Sequence, residues 1–142
     1  MDNTSVCEQL ASALQTRGWM MATAESCTGG MIAARCTDLA GSSQWFERGF
    51  ITYSNDAKHE SLGVSADILN QHGAVSEQAV RAMALGALRH SKAQVSVAVS
   101  GIAGPGGGSP EKPVGTVWIA TARLGAPGHA ECFLFAGERA SV

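Results

Sequence analysis

Thr23-Ala24-Glu25-Ser26-Cys27-Thr28-Gly29-Gly30 follows a mostly apolar run, residues 19–24, and precedes a stretch with helical spacing. The pattern predicts a strand that ends in a sharp turn and opens into a helix at Thr28. A nucleophile or an anion placed there meets unpaired backbone N–H groups and the positive end of a helix dipole, while the paired glycines let a ligand approach the main chain. Ser26 is therefore the first candidate nucleophile, with the amides of Cys27, Thr28, Gly29 and Gly30 beside it. The plainer alternative makes Thr28 only an N-cap and Gly29-Gly30 only a tight turn.

The surrounding chain decides which elements carry that turn. Residues 4–18 place Val6, Leu10, Ala13 and Leu14 at helical spacing, with Gly18 as a stop. Residues 30–39 continue as a helix after the turn, and Ala40-Gly41-Ser42-Ser43 breaks it, leaving Trp45 and Phe46 as core anchors. Residues 48–53 alternate and are rich in β-formers, so a second strand is expected. Ser54 then caps a short helix carrying Lys58. Capped helices follow over residues 65–72 and from Ser76 to His90, and residues 95–99 form a third strand. Two alternating segments, residues 115–123 and 129–136, read as an antiparallel pair.

The third strand runs into Ser100-Gly101-Ile102-Ala103-Gly104-Pro105-Gly106-Gly107-Gly108, the most glycine-dense window of the chain. Glycine and proline disfavour a regular element, so this is a loop at a strand end. It is either a mobile surface connection or a cradle whose amides face an anion; it lacks the Lys-Ser/Thr ending of a P-loop. The element order predicts an α/β fold, a three-layer α/β/α sandwich with a mixed, partly parallel sheet. In such sheets ligands bind beyond the carboxyl ends of the strands. Ser26, Tyr53 with Lys58, and Ser100 all fall at or just past such ends, so parallel early strands would gather them on one edge.

Composition narrows the function classes. The 142 residues suit a single domain, 1–142, with 45% hydrophobic and 15% charged residues. A formal net charge of −2 and no Lys/Arg cluster argue against nucleic acid. No run of about 18 apolar residues is present, so no membrane span is expected. Cys7, Cys27, Cys36 and Cys132 are scattered, without C-x-x-C or zinc-finger spacing, so no metal and no cofactor is predicted, and a cytoplasmic protein with reduced thiols is expected.

The motifs TAESCTGG (23–30), GSSQWFERGFITYSNDAK (41–58), GAVSEQAV (73–80) and SGIAGPGGGSPEKPVGTVW (100–118) together resemble the CinA carboxy-terminal domain family, in its stand-alone nicotinamide-nucleotide amidase form. The resemblance implies hydrolysis of the carboxamide of nicotinamide mononucleotide, giving nicotinic acid mononucleotide and ammonia in pyridine-nucleotide recycling, without a metal. It places Ser26 at the family's motif serine, Tyr53 and Lys58 in Y-S-N-x-A-K, Ser43 at the second serine of G-S/A-S, Ser100 where relatives carry Thr or Ser, and Arg139 at the arginine of G-D/E-R. Relatives continue past that arginine into a terminal helix, whereas this sequence ends at Val142. A homo-oligomer with a small-molecule mononucleotide as its substrate is expected.

An amide is a poor electrophile with a poor leaving group, so its hydrolysis needs an activated nucleophile, an oxyanion site and a proton donor. The expectation is that Ser26 attacks, neutral Lys58 takes and returns the proton, Tyr53 orients or relays it, and residues 27–30 hold the oxyanion. Ser100, Gly101, Gly104 and Arg139 would hold phosphate and ribose. Ser43 is the alternative nucleophile, and Cys27 could attack only if the fold brought it a histidine. Two readings from other classes stand beside this one: a mononucleotide-binding or regulatory domain without turnover, and a structural module that dimerises through apolar helices.

Overall fold

The computed structural model describes residues 3–136, and Arg139 lies outside them. The elements follow in the order α1 (Asn3–Arg17), β1 (Met21–Glu25), α2 (Met31–Thr37), a 3-10 turn (Ser42–Gln44), β2 (Phe46–Ile51), α3 (Asn55–Leu62), α4 (Ala66–His72), α5 (Glu77–Arg89), β3 (Val95–Gly101), β4 (Thr116–Arg123) and β5 (Ala126–Leu134). The five strands form one sheet in the order β2-β1-β3-β4-β5. β1 pairs in parallel with both β2 and β3, while β3–β4 and β4–β5 are antiparallel. The mixed, partly parallel sheet is thus the one expected.

Alternation along the strands distributes the sheet between two helical layers. Ala22, Ala24, Ala98 and Ala120 face α5 and pack with Val80, Met83, Ala84 and Ala87, with Leu62, Val64 and Leu69 closing the layer. Met21, Val95 and Val97 face the other way, toward Ala11, Leu14, Cys36 and Trp45. All five β1 residues are buried because helices cover both faces. Trp45 is fully buried, as a core anchor should be, and Phe46 packs beside it edge-on.

The serine caps expected from the sequence form. Ser54, Ser65 and Ser76 accept the amides of Ala57, Ile68 and Ala79 at 3.0, 3.2 and 3.1 Å. Strand ends shift: β2 starts at Phe46 and stops at Ile51, so Tyr53 stands beyond the strand and is exposed. β5 begins at Ala126, which tightens the hairpin relative to the expected 124–128 connection.

One helical glycine reports how closely the layers approach. A Cβ on Gly86, in the middle of α5, would come within 2.0 Å of the Leu62 carbonyl oxygen at the end of α3. Ordinarily Gly→Ala in a helix stabilises by about 1 kcal/mol. Here the contact reverses the sign, and Gly86→Ala should destabilise the protein by about 2 kcal/mol or more because backbone must move. Equilibrium urea unfolding would measure it; a midpoint unchanged or raised would mean that α3 and α5 are not in this contact.

Candidate active site

β1 is the central parallel strand, and its carboxyl end is extended on both sides. The Thr52 amide donates to the Glu25 carbonyl and the Ser26 amide to the Val99 carbonyl, each at 2.9 Å. These bonds set Ser26 between the chain leaving β2 and the chain leaving β3. A cavity of about 260 Å³ opens there, lined by Ser26, Cys27, Tyr53, Asn55, Lys58 and Ser100, by Ala74 and Val75 from the α4–α5 connection, and by residues 101–104, 106 and 107 of the glycine loop. Convergence at the strand carboxyl ends, expected from the element order, is what the structure shows.

Ser26 is buried and Lys58 is 1% exposed. The Lys58 ammonium donates to the carbonyls of Thr52, Tyr53 and Ser54 at 3.0, 3.1 and 3.4 Å. Among the described residues it forms no ion pair. Burial without a carboxylate partner pushes its pKa below the ordinary lysine value, while three carbonyls hold the charged form in place. Loss of one proton leaves two N–H donors for the two nearer carbonyls. The Ser54 carbonyl keeps a donor, since it also accepts the Lys58 main-chain amide at 3.1 Å. A neutral Lys58 therefore gains a free lone pair without orphaning a buried carbonyl.

The turn itself differs from the expectation. Cys27 has φ 82°, the one non-glycine residue among the described residues with a positive φ. The helix does not open at Thr28. α2 starts at Met31 after Gly30, which makes no side-chain cap. The reason is Glu25, whose buried side chain reaches over the turn. Its Oε1 accepts from the Thr28 hydroxyl at 2.6 Å and the Ile32 amide at 2.9 Å, and its Oε2 accepts from the Ala33 amide at 2.9 Å. The helix terminus read as open to a ligand is occupied by a residue of the chain itself, a role the sequence reading did not assign to Glu25.

Other expected site residues divide accordingly. Cys27, Ser100, Gly101 and Gly104 line the cavity, whereas Thr28 lines a neighbouring apolar cleft of about 170 Å³, which shares Cys27 and Gly101 with it and is otherwise walled by Val99, Val117, Ile119 and Phe135. Gly29 and Gly30 line neither. Tyr53 lines the cavity although the residue is 64% exposed, and its carbonyl is one of the three that hold Lys58. Ser43 is not brought to the site: it precedes β2, whose start pairs with the start of β1. At about 3.3 Å per residue that puts it on the opposite edge of the sheet, roughly 16 Å from Ser26. None of the four histidines lines the cavity, so Cys27 has no imidazole there.

Within the glycine loop, Gly104 has φ 78° and a Cβ there would meet Val114 Cγ1 at 2.5 Å, so loop packing alone requires glycine. Lys112, beyond the glycine run, ties this segment to α4 by donating to the His72 carbonyl at 2.6 Å. The buried Ser100 hydroxyl has no hydrogen-bond partner. Such an orphan on a cavity wall is a free donor and acceptor for a ligand. Asn55 also lines the cavity and was missed in the sequence reading; the Y-S-N motif was its one signal. Among the described residues no three His, Cys, Asp or Glu side chains gather as a metal site, and no helix is long and apolar enough to cross a membrane.

Known proteins share this sequence and this fold. The nicotinamide-nucleotide amidohydrolase PncC of Escherichia coli K12 is 56% identical over 135 residues, covering 95% of this chain and 82% of that protein. PncC of Enterobacter agglomerans is 64% identical over 111 residues, 78% of this chain and 68% of that one. Among solved structures, the competence/damage inducible protein CihA of Agrobacterium tumefaciens superposes with a TM-score of 0.92 at 47% identity, over 94% of this chain and 81% of that one. The sequence model of the CinA C-terminal domain matches residues 3–142. With the sheet, the turn after β1 and nearly every residue of the chain accounted for by these matches, the chain belongs to the CinA C-terminal domain family.

Proposed function

We propose that this protein is an amidohydrolase that deamidates nicotinamide mononucleotide to nicotinic acid mononucleotide and ammonia through a Ser26-Lys58 pair. The observation that carries the reading is the meeting of Ser26, Lys58 and the glycine loop on one cavity, in a chain 56% identical to a protein named for that activity. Neutral Lys58 accepts the Ser26 hydroxyl proton as Oγ bonds to the carboxamide carbon. The oxyanion forms beside the Cys27 amide, directly after the nucleophile. Collapse breaks the C–N bond while the Lys58 ammonium returns the proton to nitrogen, releasing ammonia. A water molecule, deprotonated by Lys58, then cleaves the ester and frees the acid and Ser26.

Tyr53 stands at the cavity mouth, where its phenol orients the substrate or relays the proton. Ser100, Gly101 and Gly104 supply the wall for ribose and phosphate, and Arg139 joins them in this reading. Incubation with nicotinamide mononucleotide, with and without chelator, followed by measurement of ammonia and the deamidated nucleotide, tests the proposal; absence of both products would reject it. Nicotinamide riboside should be hydrolysed with kcat/KM on the order of 10²-fold lower, because charge-assisted contacts to the phosphate are lost. Equal kcat/KM for the two compounds would remove the phosphate role of the glycine loop.

The alternative, mononucleotide binding without turnover, is favoured by one feature: the Lys58 ammonium is fully engaged by three carbonyls. Ligand-induced thermal stabilisation with no ammonia released would select it.

A further inference from the structure

We propose that Glu25 is a positioning residue for the Ser26 nucleophile: its carboxylate clamps the turn after β1 and holds Cys27 in a left-handed conformation, so that Ser26 Oγ and the Cys27 amide face the reacting carbon. The inference rests on the reading of Ser26 as nucleophile. Its basis is independent of that reading, in the three donors that converge on Glu25.

Glu25 is 1% exposed. Burying a carboxylate is unfavourable unless hydrogen bonds replace its water. All its side-chain bonds are local to the turn: the Thr28 hydroxyl at 2.6 Å, three residues on, and the Ile32 and Ala33 amides at 2.9 Å, seven and eight residues on. The side chain therefore spans the turn from its first residue to the first turn of α2. Between these anchors lies Cys27, whose φ of 82° a residue with a Cβ adopts only when its surroundings enforce it. Glu25 is also held from behind, because its carbonyl accepts the Thr52 amide from the chain leaving β2. A fold needing only a helix cap would be served by a short Ser or Asp beside α2, as at α3, α4 and α5. Reaching back across the nucleophile turn is a different task.

The chemistry of replacement follows from the acceptor count. Glu25→Gln keeps the shape but turns one oxygen into an N–H₂ group, which must face a donor and leave it unpaired. Glu25→Asp keeps the charge but is one methylene short of both amides. Thr28→Val removes only the hydroxyl bond and is the mild variant.

The experiment measures kcat and KM for nicotinamide mononucleotide in the parent, Glu25→Gln, Glu25→Asp, Thr28→Val and Ser26→Ala chains, with folded sites counted by ligand titration. The expected result is a kcat on the order of 10²-fold lower in both Glu25 variants, since small misplacements of a reacting group have effects of that size. KM should stay within about threefold and Thr28→Val should fall in between. A purely structural Glu25 would reduce the number of competent sites without changing kcat per site. If Ser26→Ala is inactive but Glu25→Gln keeps kcat per site within about threefold, the positioning role is overturned and the serine mechanism stands. If Ser26→Ala keeps turnover, or the parent has none, both fall. Should the Glu25 variants fail to fold, an unchanged kcat in Thr28→Val overturns the clamp and a reduced kcat supports it.

Discussion

Ser26→Ala should lower turnover of nicotinamide mononucleotide by at least about 10⁴-fold, the scale seen when an attacking group is deleted from a covalent mechanism. Binding should survive, because the remaining cavity wall, including the orphaned Ser100 hydroxyl and the glycine loop, is untouched. Turnover assays and ligand-induced thermal shift separate the two effects. Ser43→Ala is the internal control and should leave kcat within about twofold, since Ser43 sits at the far edge of the sheet. The reverse outcome, a silent Ser26→Ala with an inactive Ser43→Ala, would move the active site to the opposite edge and end the present mechanism.

Lys58→Arg should be about as damaging as Lys58→Met, each costing on the order of 10²–10⁴-fold in kcat, because neither side chain accepts a proton at neutral pH. An electrostatic contact alone would be largely preserved by arginine. Near-normal kcat in Lys58→Arg would therefore assign the base elsewhere. The pH profile gives a second check. Burial lowers the folded-state pKa of Lys58, so the neutral amine, and with it kcat/KM, should increase as pH rises through that lowered value. Stability follows the same sign. Between the lowered folded pKa and the unfolded value of about 10.4, the unfolded chain binds more protons, so unfolding free energy from this group rises with pH across that window. Lys58→Met should flatten both dependences.

The sheet and its layering were readable from local pattern, and particular residues explain why. Ser54, Ser65 and Ser76 cap helices through bonds confined to four residues, and the alternation in residues 115–123 needs only the chain's own periodicity. The convergence of Ser26, Lys58 and Ser100 was also legible, because parallel strands put their carboxyl ends on one edge whatever the side chains do. What decided the site's finer geometry lay beyond local pattern. Glu25 ends a strand between Ala24 and Ser26, and nothing in its sequence context says that it bonds to amides seven and eight residues away. Tyr53 read as a strand residue, yet β2 ends two residues earlier and leaves its ring in solvent.

Ser43 and Ser26 looked comparable as motif serines, and only the register of β1 against β2 separated them. The family, the order of elements and the residue types at the cavity were thus determined by the sequence itself, since each depends on short-range spacing or on motifs in order. Tertiary structure alone decided which serine shares a cavity with Lys58, which amides at the start of α2 are taken, and how Lys58 is held. Those depend on contacts between segments distant along the chain, such as the Thr52 amide on Glu25 and the Ser26 amide on Val99, whose geometry exists only once the sheet has closed around β1.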